Sequence, residues 1–213
     1  MPWSVVNVSV SRYVHWMEKR RYRLDERAKQ QEATRRRIVE ATAELHSEVG
    51  PAATTISAIA ERAGVQRLTV YRHFPDDKEL FEACSALSDE RHPVPDDALW
   101  SEIGEPAARA QAALGALYEY YAGDAGTLAL VLRDAEGLPT LHEVLTPFRE
   151  YLAWMADDLA ARWEAPGEAA RVIRAAAGVA VGFWTWRSLA AQGLTPHECA
   201  RLMAALIRVA GEA

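Results

Sequence analysis

The chain has 213 residues, half of them apolar and a quarter charged, enough to bury a substantial core and too apolar for a disordered tail. Its formal net charge is −6, from 24 Lys and Arg against 30 Asp and Glu, which excludes a generally basic coat protein for nucleic acid. Two cysteines, Cys84 and Cys199, stand far apart with no metal-ligand spacing and fit a reducing compartment better than a disulfide scaffold.

Residues 1–16 interleave Val5, Val8, Val10 and Val14 with Asn7, Ser9, Ser11 and Arg12, which lacks the apolar stretch of a secretion signal. The pattern suits a flexible extension or a short strand, and translation from Met17 is an open alternative. Residues 12–37 carry ten Lys and Arg against four acids, whereas residues 92–213 hold nine Arg against sixteen acids. A basic end on an acidic body predicts one part that meets a polyanion and another that does not. We take residues 1–29 as an N-terminal extension, flexible and basic from residue 19.

From Glu32 the pattern is helical, with Ile38, Ala41, Leu45 and Val49 on one stripe, and Gly50-Pro51 ends it. A short helix follows, capped by Thr54 or Thr55 and burying Ile56, Ile59, Ala60 and Ala63. Gly64 stands where a left-handed turn is wanted. A third helix spans residues 67–73, and a fourth opens at Pro75-Asp76, runs through Leu80, Phe81, Cys84 and Leu87, and dissolves at His92-Pro93-Val94-Pro95. These make a unit at residues 30–91. A second unit at 96–213 is predicted from helices at 96–103, 106–122, 125–133, 139–164, 167–191 and 196–211. Pro106, Pro139, Pro166 and Pro196 suit first-turn positions; Pro147 should kink or split its helix, with Thr146 as the new cap. With little strand signal the fold class is all-α. The longest apolar run, Ala175 to Trp186, is closed by Arg174 and Arg187, well short of the roughly 20 residues that cross a bilayer, so a cytoplasmic protein with no membrane partner is expected.

Residues 55–74 carry the chemistry. Ala60 is small where two helices must cross, Gly64 makes the turn, and Val65 and Val70 hold the next helix against the previous one, which is helix-turn-helix geometry. Seven residues do not make a helix stable alone, so its outward side chains (Gln66, Arg67, Thr69, Tyr71, Arg72, His73) are presented by packing, and nearly all can bond phosphates or base edges. Core packing is the competing role for Tyr71, His73 and Phe74. Arg35, Arg36 and Arg37, just upstream, are either a solvated face or phosphate contacts.

Thr55, Ile59, Ala60, Ala63, Gly64, Val65, Val70, Tyr71, His73 and Phe74 closely resemble the DNA-binding segment of the TetR family of bacterial transcriptional regulators. The likeness covers about residues 30–85; the rest matches in length and helical layout only. It implies a helical ligand-binding body and homodimerisation through the last two long helices. By position, Thr69 and Tyr71 would contact phosphates, Thr55 would anchor the second helix, Gln66 and Arg67 would face bases, and Arg72 would add a contact. Where the family usually has a Lys or Arg three residues after the Phe, this chain has Asp77 and then Lys78. Lys78, or the free amides near Asp76, would serve instead. Position 68 is Leu where small residues are common, so the turn would approach DNA differently.

In the second unit large aromatics cluster. Core packing is the default for them, but Tyr and Trp carry polar groups that a solid core must satisfy, and a partly hollow pocket explains them as well. The candidate ligand contacts are Trp100, Tyr118, Tyr121, Arg133, His142, Tyr151, Trp154, Met155, Phe183, Trp186 and Arg187. The helix at 167–191 is apolar on nearly all sides. Gly178 and Gly182 on it, with Leu202, Leu206 and Val209 on the last helix, suggest a four-helix interface across a two-fold axis. A dimer would then present two recognition helices about one DNA turn apart. The expected partners are a double-stranded operator, a small-molecule effector and a second copy, with no cofactor and no metal. GxSxG, HExxH, P-loop, GxGxxG and Glu-x-x-His patterns are missing from the sequence, so an enzyme is not expected. A helical adaptor that has lost DNA binding is the alternative.

Overall fold

A computed structural model describes residues 5–211 as eleven α-helices with no strand among them; residues 1–4 and 212–213 of the two predicted terminal segments lie outside that range. The first helix, α1 (Val5–Val49), is 45 residues long. It begins far upstream of Glu32 and replaces the predicted strand or flexible arm with helix. No Gly or Pro falls between Trp3 and Val49, and the charged run is rich in good helix formers, with Lys29 bonded to Glu26 one turn away at 3.3 Å. Every described side chain from residue 21 to 33 is exposed. The buried stretch starts at Ile38, which is inaccessible, and continues with Val39, Ala41 and Leu45.

Gly50 stops α1. Its φ of +89° is a conformation that side-chain-bearing residues rarely adopt, and a Cβ there would lie 2.5 Å from Asp134 Oδ2. A single 3₁₀ turn, Pro51–Ala53, leads into α2 (Ile56–Arg62), α3 (Arg67–His73) and α4 (Asp77–Arg91). Thr55 caps α2, its Oγ1 accepting from the Ala58 amide at 3.2 Å, and Asp76 caps α4 through the Glu79 amide at 2.9 Å. Ile38, Leu45, Ile59, Ala60, Val70, Phe74, Leu80 and Leu87 form one hydrophobic cluster.

The remaining helices are α5 (Pro106–Gly123), α6 (Ala125–Ala135), α7 (Pro139–Val144), α8 (Thr146–Ala161), α9 (Gly167–Ala180), α10 (Phe183–Ala190) and α11 (Pro196–Ala210). They surround a second cluster whose centre is α5, with Leu114, Leu117, Tyr118 and Tyr121 fully buried against Met155, Ile173, Cys199 and Ile207. Three predicted elements differ. The helix expected at 96–103 is a 3₁₀ turn at Asp97–Leu99. Pro147 does mark a split, but Leu145 rather than Thr146 holds the cap position, because Pro tolerates the first turn and Thr146 has already entered it.

The third difference is the largest. The helix predicted at 167–191 breaks at Val181-Gly182, where α9 ends and α10 begins. Breaking a helix strands carbonyls in the core. Here Tyr118 donates its hydroxyl to Ala180 O and Tyr121 donates to Val181 O, both at 2.6 Å. Two of the polar groups that suggested a hollow pocket, the hydroxyls of Tyr118 and Tyr121, are satisfied by a broken backbone instead, whereas the indole N–H groups of Trp100 and Trp186 have no partner.

Candidate DNA interface and effector cavity

The turn between α2 and α3 is held by Val65 N donating to Ala60 O at 2.9 Å and Gly64 N to Glu61 O at 3.1 Å, with Gly64 at φ +65°. Val70 and Phe74, four residues apart, turn inward and are essentially inaccessible. That fixes the opposite face of α3 outward: Gln66, Arg67, Leu68, Tyr71 and Arg72 are exposed and Thr69 half-buried. Gln66 occupies the cap position of α3 without bonding it, so its amide is uncommitted. Thr55 is tied up in capping α2.

The other predicted contacts are spread more widely. Arg35 lies over the Phe74 ring at 4.5 Å, which packs the first turn of the folded unit against the end of α3. Arg36 is paired to Glu40 at 3.1 Å and Glu90 at 4.0 Å, and Arg37 is exposed. His73 is half-buried with its Nε2 inaccessible and unpartnered. Burial, then Arg72 and Arg35, lowers its pKa, so the ring stays neutral. Lys78 is paired to Glu143 of α7, and Asp76 occupies one of the amides expected to be free, that of Glu79.

Residues 38–84 match the family of bacterial regulatory proteins described as the tetR family. That segment is a TetR-family DNA-binding segment. TetR-like structures share its fold. A TetR-like regulator of Rhodococcus sp. RHA1 aligns over 82% of this chain and 93% of its own at 19% identity and TM-score 0.60. A tetR-family regulator of Streptomyces coelicolor aligns over 84% and 80% at 18% identity and TM-score 0.57, and one of Mesorhizobium loti over 84% and 96% at 20% identity and TM-score 0.55. No curated protein sequence matches the chain. The chain is thus a DNA-binding transcriptional regulator, with α2 and α3 as its helix-turn-helix.

A cavity of about 740 Å³ lies where this TetR-family DNA-binding unit meets the helical body. Its wall takes in the end of α1 (His46, Ser47), α4 (Phe81, Cys84, Ser88), the linker at His92, and Tyr120, Leu128, Leu132, Phe148 and Tyr151 of α5, α6 and α8. Of the predicted ligand contacts only Tyr151 lines it, donating its hydroxyl to Pro95 O at 2.9 Å. Trp100, Tyr118, Tyr121, Met155, Phe183 and Trp186 are buried in the core. Trp154 is exposed beside Tyr151, and His142 is exposed. Arg133 is paired to Asp134, and Arg187 donates to Ala125 O at 3.1 Å. The lining was missed because Phe81 and Cys84 look like core positions of α4. Tyr120 offered a signal: it is an aromatic set off the apolar stripe that holds Tyr118 and Tyr121.

The unit and the body are joined beside this cavity. Asp134, buried on α6, accepts from the Ala52 amide at 2.9 Å and from Arg133 Nε at 2.8 Å. Burial alone would raise its carboxyl, but these two donors hold it below its ordinary range. His46 faces it from α1. Burial pushes that imidazole down to about 4 while Asp134 pulls it up. Unfolded, the ring titrates near 6.5, so below that pH the unfolded chain takes up a proton that the folded chain refuses. Stability from this group is complete above pH 6.5 and is lost as pH falls towards 4. The expected loss is about 2 kcal/mol by about pH 5. Urea titrations at neutral pH and at about pH 5, on wild type and His46→Phe, test it: the drop should shrink by that amount in the variant, and an equal drop in both would place its origin elsewhere.

Proposed function

We propose that the protein is a homodimeric repressor that reads a near-palindromic operator and is released when a small, mainly apolar molecule enters the cavity between α4 and the body. The observation that carries the reading is the outward face of α3, with Gln66, Arg67, Tyr71 and Arg72 free while Val70 and Phe74 lock the helix in place. Thr69 and Tyr71 are assigned to phosphates, Gln66 and Arg67 to bases, and Arg37 and Arg72 to supporting contacts. Residues 30–91 form the DNA-binding domain and 96–213 the ligand-binding and dimerisation domain.

Support for a dimer comes from the outer face of three helices packed side by side. Val179, Trp184, Leu202, Leu206 and Val209 are each 40–58% exposed there, and Gly178 leaves open space next to Val179. Apolar side chains gathered on one face favour a partner, and a two-fold pairing sets two α3 helices at one operator. Release follows from position. A ligand that touches α4 and α1 on one wall and α6 and α8 on the other binds more tightly to one arrangement of the two units, and so shifts the spacing of the recognition helices.

The test is selection of binding fragments from sheared genomic DNA, followed by gel shifts at several salt concentrations. One or a few fragments should survive excess random DNA, and Thr69→Ala with Tyr71→Phe should weaken them by about tenfold or more. Uniform weak binding that vanishes with salt would favour the adaptor reading.

A further inference from the structure

The cavity wall is largely apolar, yet its uncompensated charge is of one sign. Asp89, near the end of α4, and Asp124, at the cap of α6, both line it. They flank one phenol: burial first, then the fields of Asp89 and Asp124, push Tyr120 up to about 12. Neither carboxylate is neutralised. Asp89 is exposed at the rim of the cavity with no cation acting on it, and Asp124 makes no side-chain bond to the helix that it caps. The one cation on the wall, Arg91, is engaged by Glu40 at 3.5 Å. A third polar group faces the same space. His46 is only 6% exposed and lines the cavity, where its ring has no hydrogen-bond partner and touches Phe81, centroids 5.8 Å apart. Opposite, Tyr120 has one face stacked on His92, centroids 4.8 Å apart and inclined at 10°, and stands 6.1 Å from Phe148 at 43°, whose ring offers a face to a cation.

An anion entering here would meet two carboxylates with no counter-charge, and a neutral guest would desolvate them without compensation. We propose that the cavity takes a lipophilic organic cation, a protonated amine on an aromatic or alicyclic body. Its nitrogen sits between Asp89, Asp124 and the Tyr120 hydroxyl, and its body lies against Phe81 and Phe148. The neutral imidazole of His46 accepts an N–H from the guest. This inference rests on the reading of the cavity as the effector site and names the chemistry of that effector.

Three probes with one body and different charge separate the two claims: 1-naphthylmethylammonium, 1-naphthylmethanol and 1-naphthoate, titrated calorimetrically into the full chain. The ammonium should bind at least about tenfold more tightly than the alcohol, with the carboxylate weakest. Asp89→Asn with Asp124→Asn should abolish the preference for the ammonium over the alcohol, with the alcohol bound no more weakly than in wild type. Either single variant, expected to lose part of the preference, serves if the pair does not fold by circular dichroism. Equal binding of ammonium and alcohol, or tighter binding of the carboxylate, would overturn the cation while leaving the cavity as an effector site. If none of the three binds, and Leu128→Trp, which fills the space, behaves as wild type, the cavity reading falls too and the cation proposal with it.

Discussion

Replacing Arg109 by Met is expected to destabilise the protein by about 3–5 kcal/mol. Arg109 sits in the first turn of α5 and is 3% exposed. Its guanidinium is fully used. Nε and Nη2 bond the Asp158 carboxylate of α8 at 2.8–3.2 Å, and Nη1 donates to Trp100 O at 2.9 Å and also to Ser101 O. One side chain thus ties α5 to α8 and to the turn that precedes α5. Methionine fills similar volume, so little of the cost is cavity. Most of it is the Asp158 carboxylate left without its cation and two carbonyls left without donors. The charge pair need not be a net gain over apolar residues; what is costly is breaking it from one side. Arg109→Met with Asp158→Leu should therefore recover much of the loss. Urea titrations at one fixed protein concentration measure both, since association adds to stability by mass action. A single-variant cost under about 1 kcal/mol would mean that water reaches the site and the pair is an ordinary surface one.

Which features were legible in the sequence depended on how local their causes are. The helix-turn-helix was readable because each requirement falls within twenty residues: Thr55 at a cap, Gly64 at a left-handed turn, Val70 and Phe74 four apart and inward. The buried stripe of Leu114, Leu117, Tyr118 and Tyr121 was equally plain as a helix face. Periodicity, however, does not say whether such a face meets a core or a hollow, and these residues meet a core. The break at Val181-Gly182 was not legible at all, because the hydroxyls that make it tolerable come from α5, some 60 residues away in sequence. Similarly, nothing local marks Asp134; only the fold brings it to the Ala52 amide, 82 positions distant. The cavity draws its wall from α1, from α4 to α8 and from the turns between them, and no single one of them carries its signature.

Leu68→Glu is expected to abolish specific DNA binding, by at least about 100-fold, or close to 3 kcal/mol, without changing stability. Leu68 follows the first residue of α3 and is 75% exposed, on the face turned away from Val70 and Phe74. A side chain in that position lost nothing to solvent on folding, so its substitution should stay within about 0.5 kcal/mol in stability. At an interface with DNA the same change sets a carboxylate among phosphates, between Arg67 and Thr69, where it repels the backbone and competes for the cations assigned to it. Leu68→Lys should do the reverse: stronger binding to every sequence, a salt dependence steeper by about one counterion, and a smaller ratio of specific to random affinity. Gel shifts on a selected fragment and on random DNA, over a range of salt, read both variants. Unchanged binding by Leu68→Glu would show that α3 does not face the duplex, and the helix-turn-helix would have to dock through another element.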